Sequence, residues 1–370
     1  VANIRIPTEK AHGYQIMRVC SQWASMGHTV TLFVPVRSNH ITQDPFEYYG
    51  VPKNFTIEYV PCHHWMGMVK YFGRFAFFAQ SFSFLKAAAT RIPKESVVYT
   101  RDVEAVWYLD RSGFACILNA HSWPRKSALV ARLVARARGV VCNSKGTEAA
   151  VREATKLQTI VAYNASDRNA YAGVDKNTLR EDLDLPKDKK IALYSGHLYG
   201  WKGADALLQC ARLCEGRQNL LFVILGGTTE DIERLQEETT GMHNIRLVGH
   251  QPKVLVPMYL AAADVLLLPN AATTRESVQY TSPLKMFEYM ASGTPIVASD
   301  LPSLREILSE ALVFFAEAGS GESIAEAVVY ATQHEEEAKA KATAAFEVSS
   351  QYTWDAHAGK VISFIESVTS

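Results

Sequence analysis

Residues 280–300 read Tyr-Thr-Ser-Pro-Leu-Lys-Met-Phe-Glu-Tyr-Met-Ala-Ser-Gly-Thr-Pro-Ile-Val-Ala-Ser-Asp, and this run sets anion-binding and hydroxyl-binding groups at helical spacing. Ser282 is a candidate side-chain N-cap, and Pro283 suits the first helical position, where its missing N–H costs nothing. The amides of Leu284 and Lys285 then have no intrahelical acceptor, which suits a phosphate. Further along the same helix, Glu288 is an acceptor-only carboxylate that could take two hydrogen bonds from a ribose diol. Gly293 stops the helix and 295–298 follows as a buried strand. Any helix of an α/β protein can begin with Ser-Pro and end at Gly, so a second constellation has to carry part of the argument.

That constellation is Leu193-Tyr-Ser-Gly-His-Leu-Tyr-Gly-Trp-Lys-Gly203. An apolar strand runs into Gly196, which permits close backbone approach, and Lys202 with Gly203 opens an amphipathic helix over 204–214. A lysine there can neutralise a diphosphate. Gly226-Gly227-Thr228 and Gly249-His250 also follow apolar runs; each reads either as a tight turn or as a point of nucleotide contact.

The elements that must position these groups alternate along the chain, as in a parallel sheet covered on both faces. Strands are expected at 28–34, 56–60, 97–100, 114–118, 139–142 and 159–162, and again at 190–195, 220–225, 245–248, 264–269, 295–298 and 311–314. The simplest architecture is α/β, with two doubly wound, Rossmann-like domains facing each other across a cleft. We expect an N-terminal domain at 1–165, a linker at 166–189, a donor domain at 190–350, and a helix at 351–370 that docks back on the first domain to cover Trp354, Val361, Ile362, Phe364 and Ile365.

With 370 residues, 48% of them hydrophobic, the chain can build two cores. Lys plus Arg and Asp plus Glu both total 38, so no polyelectrolyte signature points to nucleic acid. No run of 18 apolar residues and no signal-peptide h-region occurs, and the six cysteines lack metal-ligand spacing; a cytoplasmic protein with reduced thiols is expected. Residues 63–91 interleave Trp65, Tyr71, Phe72, Phe75, Phe77, Phe78, Phe82 and Phe84 with Lys70, Arg74, Lys86 and Arg91. They read either as a buried helix with snorkelling bases or as a peripheral contact with the inner face of a membrane, presenting a lipid-linked acceptor.

Gly196 to Gly203, Gly249 and above all the block from Ser282 to Asp300 resemble the donor domain of the retaining glycosyltransferases of family 4, which have the GT-B fold. The N-terminal half resembles them more faintly, through Glu9-Lys-Ala-His-Gly-Tyr-Gln15, Tyr99-Thr-Arg-Asp102 and Asn119-Ala-His121. The resemblance implies that Glu288 holds the ribose and Lys202 the diphosphate. It implies that Gly13, with His12, approaches the donor phosphates or sugar, and that His121 faces the transferred sugar. Arg101 and Asp102 are placed for acceptor contact or for an ordinary salt bridge. The chain departs from the family at Tyr280, in place of the first Glu of the Glu-x7-Glu motif, and at His197, in place of an Arg. Asn119 stands where relatives often carry Glu, and the usual hinge turn reads Tyr163-Asn-Ala-Ser-Asp167.

The implied reaction moves a sugar from a nucleoside diphosphate, with uracil expected over guanine, to a hydroxyl of a sugar, polysaccharide or lipid-linked acceptor, with retention. No paired carboxylates suit a double displacement, so a front-face departure is expected, with Lys202, His197 and the amides of Leu284 and Lys285 stabilising the leaving diphosphate. No Asp-x-Asp clamp stands at a suitable strand end, and neither metal nor cofactor is expected. Two alternatives stay open: a non-catalytic sugar-nucleotide-binding protein of the same fold, and a sugar-nucleotide 2-epimerase.

Overall fold

A computed structural model describes residues 1–62, 74–124, 127–171, 175–198 and 200–370. The chain forms two compact units. The first comprises Val1–Tyr163 and Trp354–Ser370, and the second Asn164–Thr353.

The second unit carries six parallel strands: β7 (Lys190–Ser195), β8 (Leu220–Leu225), β9 (Ile245–Gly249), β10 (Val265–Leu268), β11 (Ile296–Ser299) and β12 (Phe314–Ala316). Their order is β12-β11-β10-β7-β8-β9. β7, β8, β10 and β11 are buried over almost their whole length, which is why they read as continuous apolar runs. The order reverses between β7 and β10, so the crevice where such sheets bind ligands lies beyond the carboxyl ends of these two strands. The strand expected at 311–314 sits later, at Phe314–Ala316, because the amides of Leu312 and Val313 turn back onto the Ser309 carbonyl.

Residues 166–189, expected as a linker, belong to the second unit. Helix Lys176–Asp182 is capped by Asp175 and anchored by Arg180, 4% exposed, which donates to Ala262 O and to Asp264 at 2.6 Å. Burial alone would raise the Asp264 pKa. Lys176, the Ile191 amide and Arg180 outweigh it and hold the carboxyl below its ordinary value. Removing one member of such a buried network would strand a charge at a cost of about 3–5 kcal/mol.

The first unit contains two parallel sheets. One pairs β1 (Thr31–Pro35) with β2 (Thr56–Val60); the other runs β3-β4-β5-β6, at Val97–Thr100, Ala115–Ala120, Gly139–Cys142 and Thr159–Val161. Residues 1 and 2 bridge them, the Val1 amine donating to Tyr99 O and the Ala2 amide to Phe33 O, each at 3.0 Å. A cavity of about 810 Å³ lies among β1, β3 and helix Ala11–Ser25. The strand expected at 28–34 begins only at Thr31, since Met26 to His28 turn back onto the end of that helix.

The C-terminal helix Trp354–Thr369 packs on helix Ala11–Ser25: Trp23 Nε1 donates to Ala358 O, and Tyr14 meets the Trp354 ring edge-on at 6.0 Å. Of the aromatic segment, residues 63–73 lie outside the described residues. Helix Arg74–Ala89 sends Phe84, Leu85 and Ala88 into the core beside β3 and β4, and leaves Phe78 and Phe82 part-exposed, with Phe82 against Trp107 and Tyr108.

Candidate functional site

The glycine-ended strands of the second unit make the floor of the site. The Gly196 amide donates to Leu225 O and the Gly226 amide to Gly249 O, both at 2.8 Å, so the carboxyl ends of β7, β8 and β9 lie shoulder to shoulder. Gly196 has φ +137°, and a Cβ on it would stand 2.8 Å from Lys285 Nζ. Gly203 has φ +83°, and a Cβ there would meet Pro269 O at 1.8 Å; glycine is therefore the residue that lets the turn after β7 press on the end of β10. That turn carries a 3-10 segment at Gly200–Lys202, after which helix Ala204–Leu213 begins with Gly203 as its N-cap.

Lys202 lies in this turn, largely withdrawn from water, and burial lowers its pKa to about 8. His197 precedes it. Burial and then the charges of Lys202, Lys285 and His250 lower the imidazole pKa, with Asp231 opposing. The imidazole is therefore mostly neutral at pH 7, and the positive charge in this corner belongs to the lysines.

Helix Leu284–Ser292 supplies the opposite wall. Its N-cap is Pro283, extended at φ −73° and ψ 134°, which corrects the expected assignment of Ser282 as cap and Pro283 as first helical residue. The Ser282 hydroxyl caps nothing. Its Oγ is buried without a partner, while its carbonyl accepts from Asn164 Nδ2. The chain is thus fixed one residue earlier by a side chain outside the helix, and the proline ring takes the cap position. The consequence for anion binding is unchanged, since the Leu284 and Lys285 amides still precede the first intrahelical acceptor.

Glu288 is 8% exposed, one turn further along, and its carboxylate accepts from Lys253 Nζ. Lys253 stands in a short 3-10 turn after β9, and nothing in the sequence marks it beyond its place past the glycine end of a strand. It holds one carboxylate oxygen, Oε1, and so fixes the orientation of the group. Tyr289, the next residue, accepts from the Ser195 amide through its hydroxyl at 2.8 Å and ties this helix to the end of β7. Tyr280, at the position of the missing motif Glu, is 2% exposed in the π-turn Glu276–Tyr280, with Arg275 5.2 Å from its ring centroid. Glu276 is exposed.

The other residues singled out from sequence lie in the first unit. His121 follows β4, and its Nε2 is buried without a partner. Burial, then Arg101, His357 and His12, drive its pKa well below the ordinary value, so it is a neutral imidazole. His357, from the C-terminal helix, joins this group; its Nδ1 lies 2.7 Å from Tyr163 O, and burial lowers its pKa to about 4. Its place on the apolar stripe of Trp354, Ala358 and Val361 was the available signal. Gly13 sits in the first turn of helix Ala11–Ser25, where a Cβ would meet Tyr49 Oη at 2.2 Å and Thr8 Cγ2 at 2.6 Å. Close packing by itself already requires glycine here. Arg101 is part-buried, its Nε and Nη2 are withdrawn from water without a partner, and its pKa falls to about 10. Asp102 accepts from the Asn3 amide at 2.9 Å.

Among the described residues, no group of three or more His, Cys, Asp or Glu could hold a metal ion, all six cysteines are free, and no helix is long and apolar enough to cross a membrane.

Residues 175–348, most of the second unit, match the sequence profile of the family described as glycosyl transferases group 1. The chain is 24% identical over 204 residues to an uncharacterized 41.2 kDa protein in the cps region of Klebsiella pneumoniae, covering 54% of this chain and 53% of that one. It is 25% identical over 156 residues to D-inositol 3-phosphate glycosyltransferase 2 of Catenulispora acidiphila, covering 39% and 35%. The chain thus spans about half the length, or less, of these curated relatives. The structure of Anabaena HepE in complex with UDP-glucose superposes with a TM-score of 0.77 at 15% identity, over 99% of this chain and 98% of that one. The fold is therefore GT-B, with two Rossmann-like units.

Proposed function

We propose that this protein is a retaining glycosyltransferase of family 4 that moves a sugar from a UDP-sugar to a hydroxyl without a metal ion. The observation that carries the reading is the convergence, at the carboxyl ends of β7 to β9, of Lys202, the first amides of helix Leu284–Ser292 and the oriented carboxylate of Glu288. Cations and amides suit a diphosphate, and a carboxylate one turn away suits a ribose. The HepE complex with UDP-glucose supports uracil as the base, and the names of two further relatives, a putative colanic acid biosynthesis glycosyl transferase and a phosphatidyl-myo-inositol mannosyltransferase, support an acceptor in polysaccharide or glycolipid synthesis.

In the proposed reaction the bond between the anomeric carbon and the β-phosphate oxygen breaks as the acceptor hydroxyl attacks the same face. The hydroxyl proton passes to the departing phosphate oxygen. Negative charge grows on the diphosphate, so donors already in place stabilise the transition state more than the ground state. His121, kept neutral, is suited to hydrogen bonding with sugar hydroxyls rather than to holding a phosphate. The six strand-ending and helix-starting positions Gly196, Gly249, Ser282, Pro283, Leu284 and Lys285 shape the nucleotide side.

The buried Tyr280 in place of a carboxylate favours a second reading, a protein that holds the sugar nucleotide without chemistry. Incubation with UDP-glucose and a panel of acceptors, followed by proton NMR, separates the two. Release of UDP with an α-linked product supports the enzyme. A β-linked product would defeat retention, tight binding without turnover would favour the binder, and conversion of the donor sugar without UDP release would indicate an epimerase.

A further inference from the structure

Lys285 is 8% exposed, yet its Nζ has no hydrogen-bond partner. It lies 3.8 Å from the Tyr194 ring centroid, a contact that can offset part of its desolvation but accepts none of its three N–H donors. Tyr194 itself is fixed, since its hydroxyl donates to His197 O at 2.5 Å. Three effects disfavour a cation at this position. Burial withdraws it from water, Lys202 repels it, and it stands in the first turn of a helix, at the positive end of the macrodipole. Glu288 opposes these effects, but that carboxylate is already paired with Lys253. A single dianion would relieve all three at once. The tip of Lys285 lies over Gly196, where a Cβ would come within 2.8 Å of Nζ, so only glycine at this strand end leaves the ammonium uncrowded.

We propose that the Lys285 ammonium is a direct ligand of the donor's diphosphate, reaching phosphoryl oxygens across the face of Gly196. It acts alongside Lys202 and supplies the second fixed cation that the neutral His197 does not. The inference rests on the donor-site reading given above. It implies that the unliganded protein holds a buried, unpartnered amine whose charged form nucleotide binding stabilises.

The test is calorimetric titration of wild type, Lys285→Met and Lys285→Arg with UDP, UMP and uridine, with the melting temperature of each free protein. Charge-assisted hydrogen bonds predict that Lys285→Met weakens UDP binding by about 10- to 100-fold, UMP less, and uridine within about twofold. Arginine should restore part of the UDP affinity. The free Lys285→Met protein should melt no lower than wild type, because an apolar chain of similar length replaces an unpartnered buried amine. A merely structural lysine would instead lower the melting temperature and weaken all three ligands alike. Equal losses for UDP and uridine, or unchanged UDP affinity, overturn the assignment. Failure of wild type itself to bind UDP or GDP would remove the donor site, and this inference with it.

Discussion

Both units gather buried basic groups, but with different chemistry. In the second unit the cations are lysines beside a helix N-terminus, with Glu288 oriented by Lys253. In the first unit His121 and His357 face Arg101, with His12 near His121, and the imidazoles of His121 and His357 are driven neutral by burial first and then by the Arg101 charge. Lysines at a helix start make a site for fixed negative charge. Neutral imidazoles, able to donate and accept, make a site for hydroxyls. The difference teaches that burial of a basic group does not define a phosphate site; the donor type and the backbone around it decide.

Lys202→Ala should break the second unit's side of this contrast most severely. Loss of a preorganised donor worth roughly 3 kcal/mol of barrier lowers turnover on the order of a hundredfold or more. Steady-state kinetics of UDP release checks this, and a loss of less than tenfold would return the stabilising role to the backbone amides. His121→Ala tests the other side: turnover should fall by about 10- to 100-fold while UDP affinity stays within about twofold of wild type. Equal loss of UDP affinity would erase the distinction between the two groups.

The pH dependence sharpens the contrast further. Burial holds Lys202 at about 8 in the free protein, and a bound diphosphate would raise that value. Complex formation then takes up a proton above pH 8, so affinity for UDP should fall by up to about tenfold per pH unit there and level off below. Lys285 and His197, which face Lys202, are also lowered and spread the transition downward in wild type. In Lys285→Met the decline should centre near the Lys202 value. Affinity that is flat to pH 9.5 would show that neither lysine touches the phosphates. The smallest expected effect is that of a chelator: with lysines and amides carrying the leaving-group charge, EDTA should leave turnover unchanged within about 20%. Inhibition reversed by Mn would instead assign that charge to a metal.

Much of the second unit was legible in the sequence, for a physical reason. Strands buried on both faces must be apolar throughout, and β7 and β8 run into Gly196 and Gly226, where close backbone approach requires glycine, so both stand at their expected residues. The helix carrying Glu288 was equally clear. Its cap was not, because the Asn164 side chain that fixes the Ser282 carbonyl comes from 118 residues away. Lys253 and His357 were missed on the same grounds: each acts through a partner distant in sequence, Glu288 in one case and the Tyr163 carbonyl in the other. Residues 166–189 read as a linker because their polar surface hides a few scattered buried side chains, Leu179, Arg180 and Leu185 among them. Local pattern reveals backbone geometry, whereas side-chain pairing across the fold becomes visible only in three dimensions.

The central claim is that the carboxyl edge of the second unit binds a nucleoside diphosphate through Lys202 and Glu288. Its most direct test is calorimetric titration with UDP and GDP of wild type, Lys202→Ala and Glu288→Ala. The account predicts micromolar binding of UDP by wild type, weakened at least about tenfold in each variant, with folding verified by melting temperature. Absence of binding by wild type, or binding untouched in both variants, would contradict it.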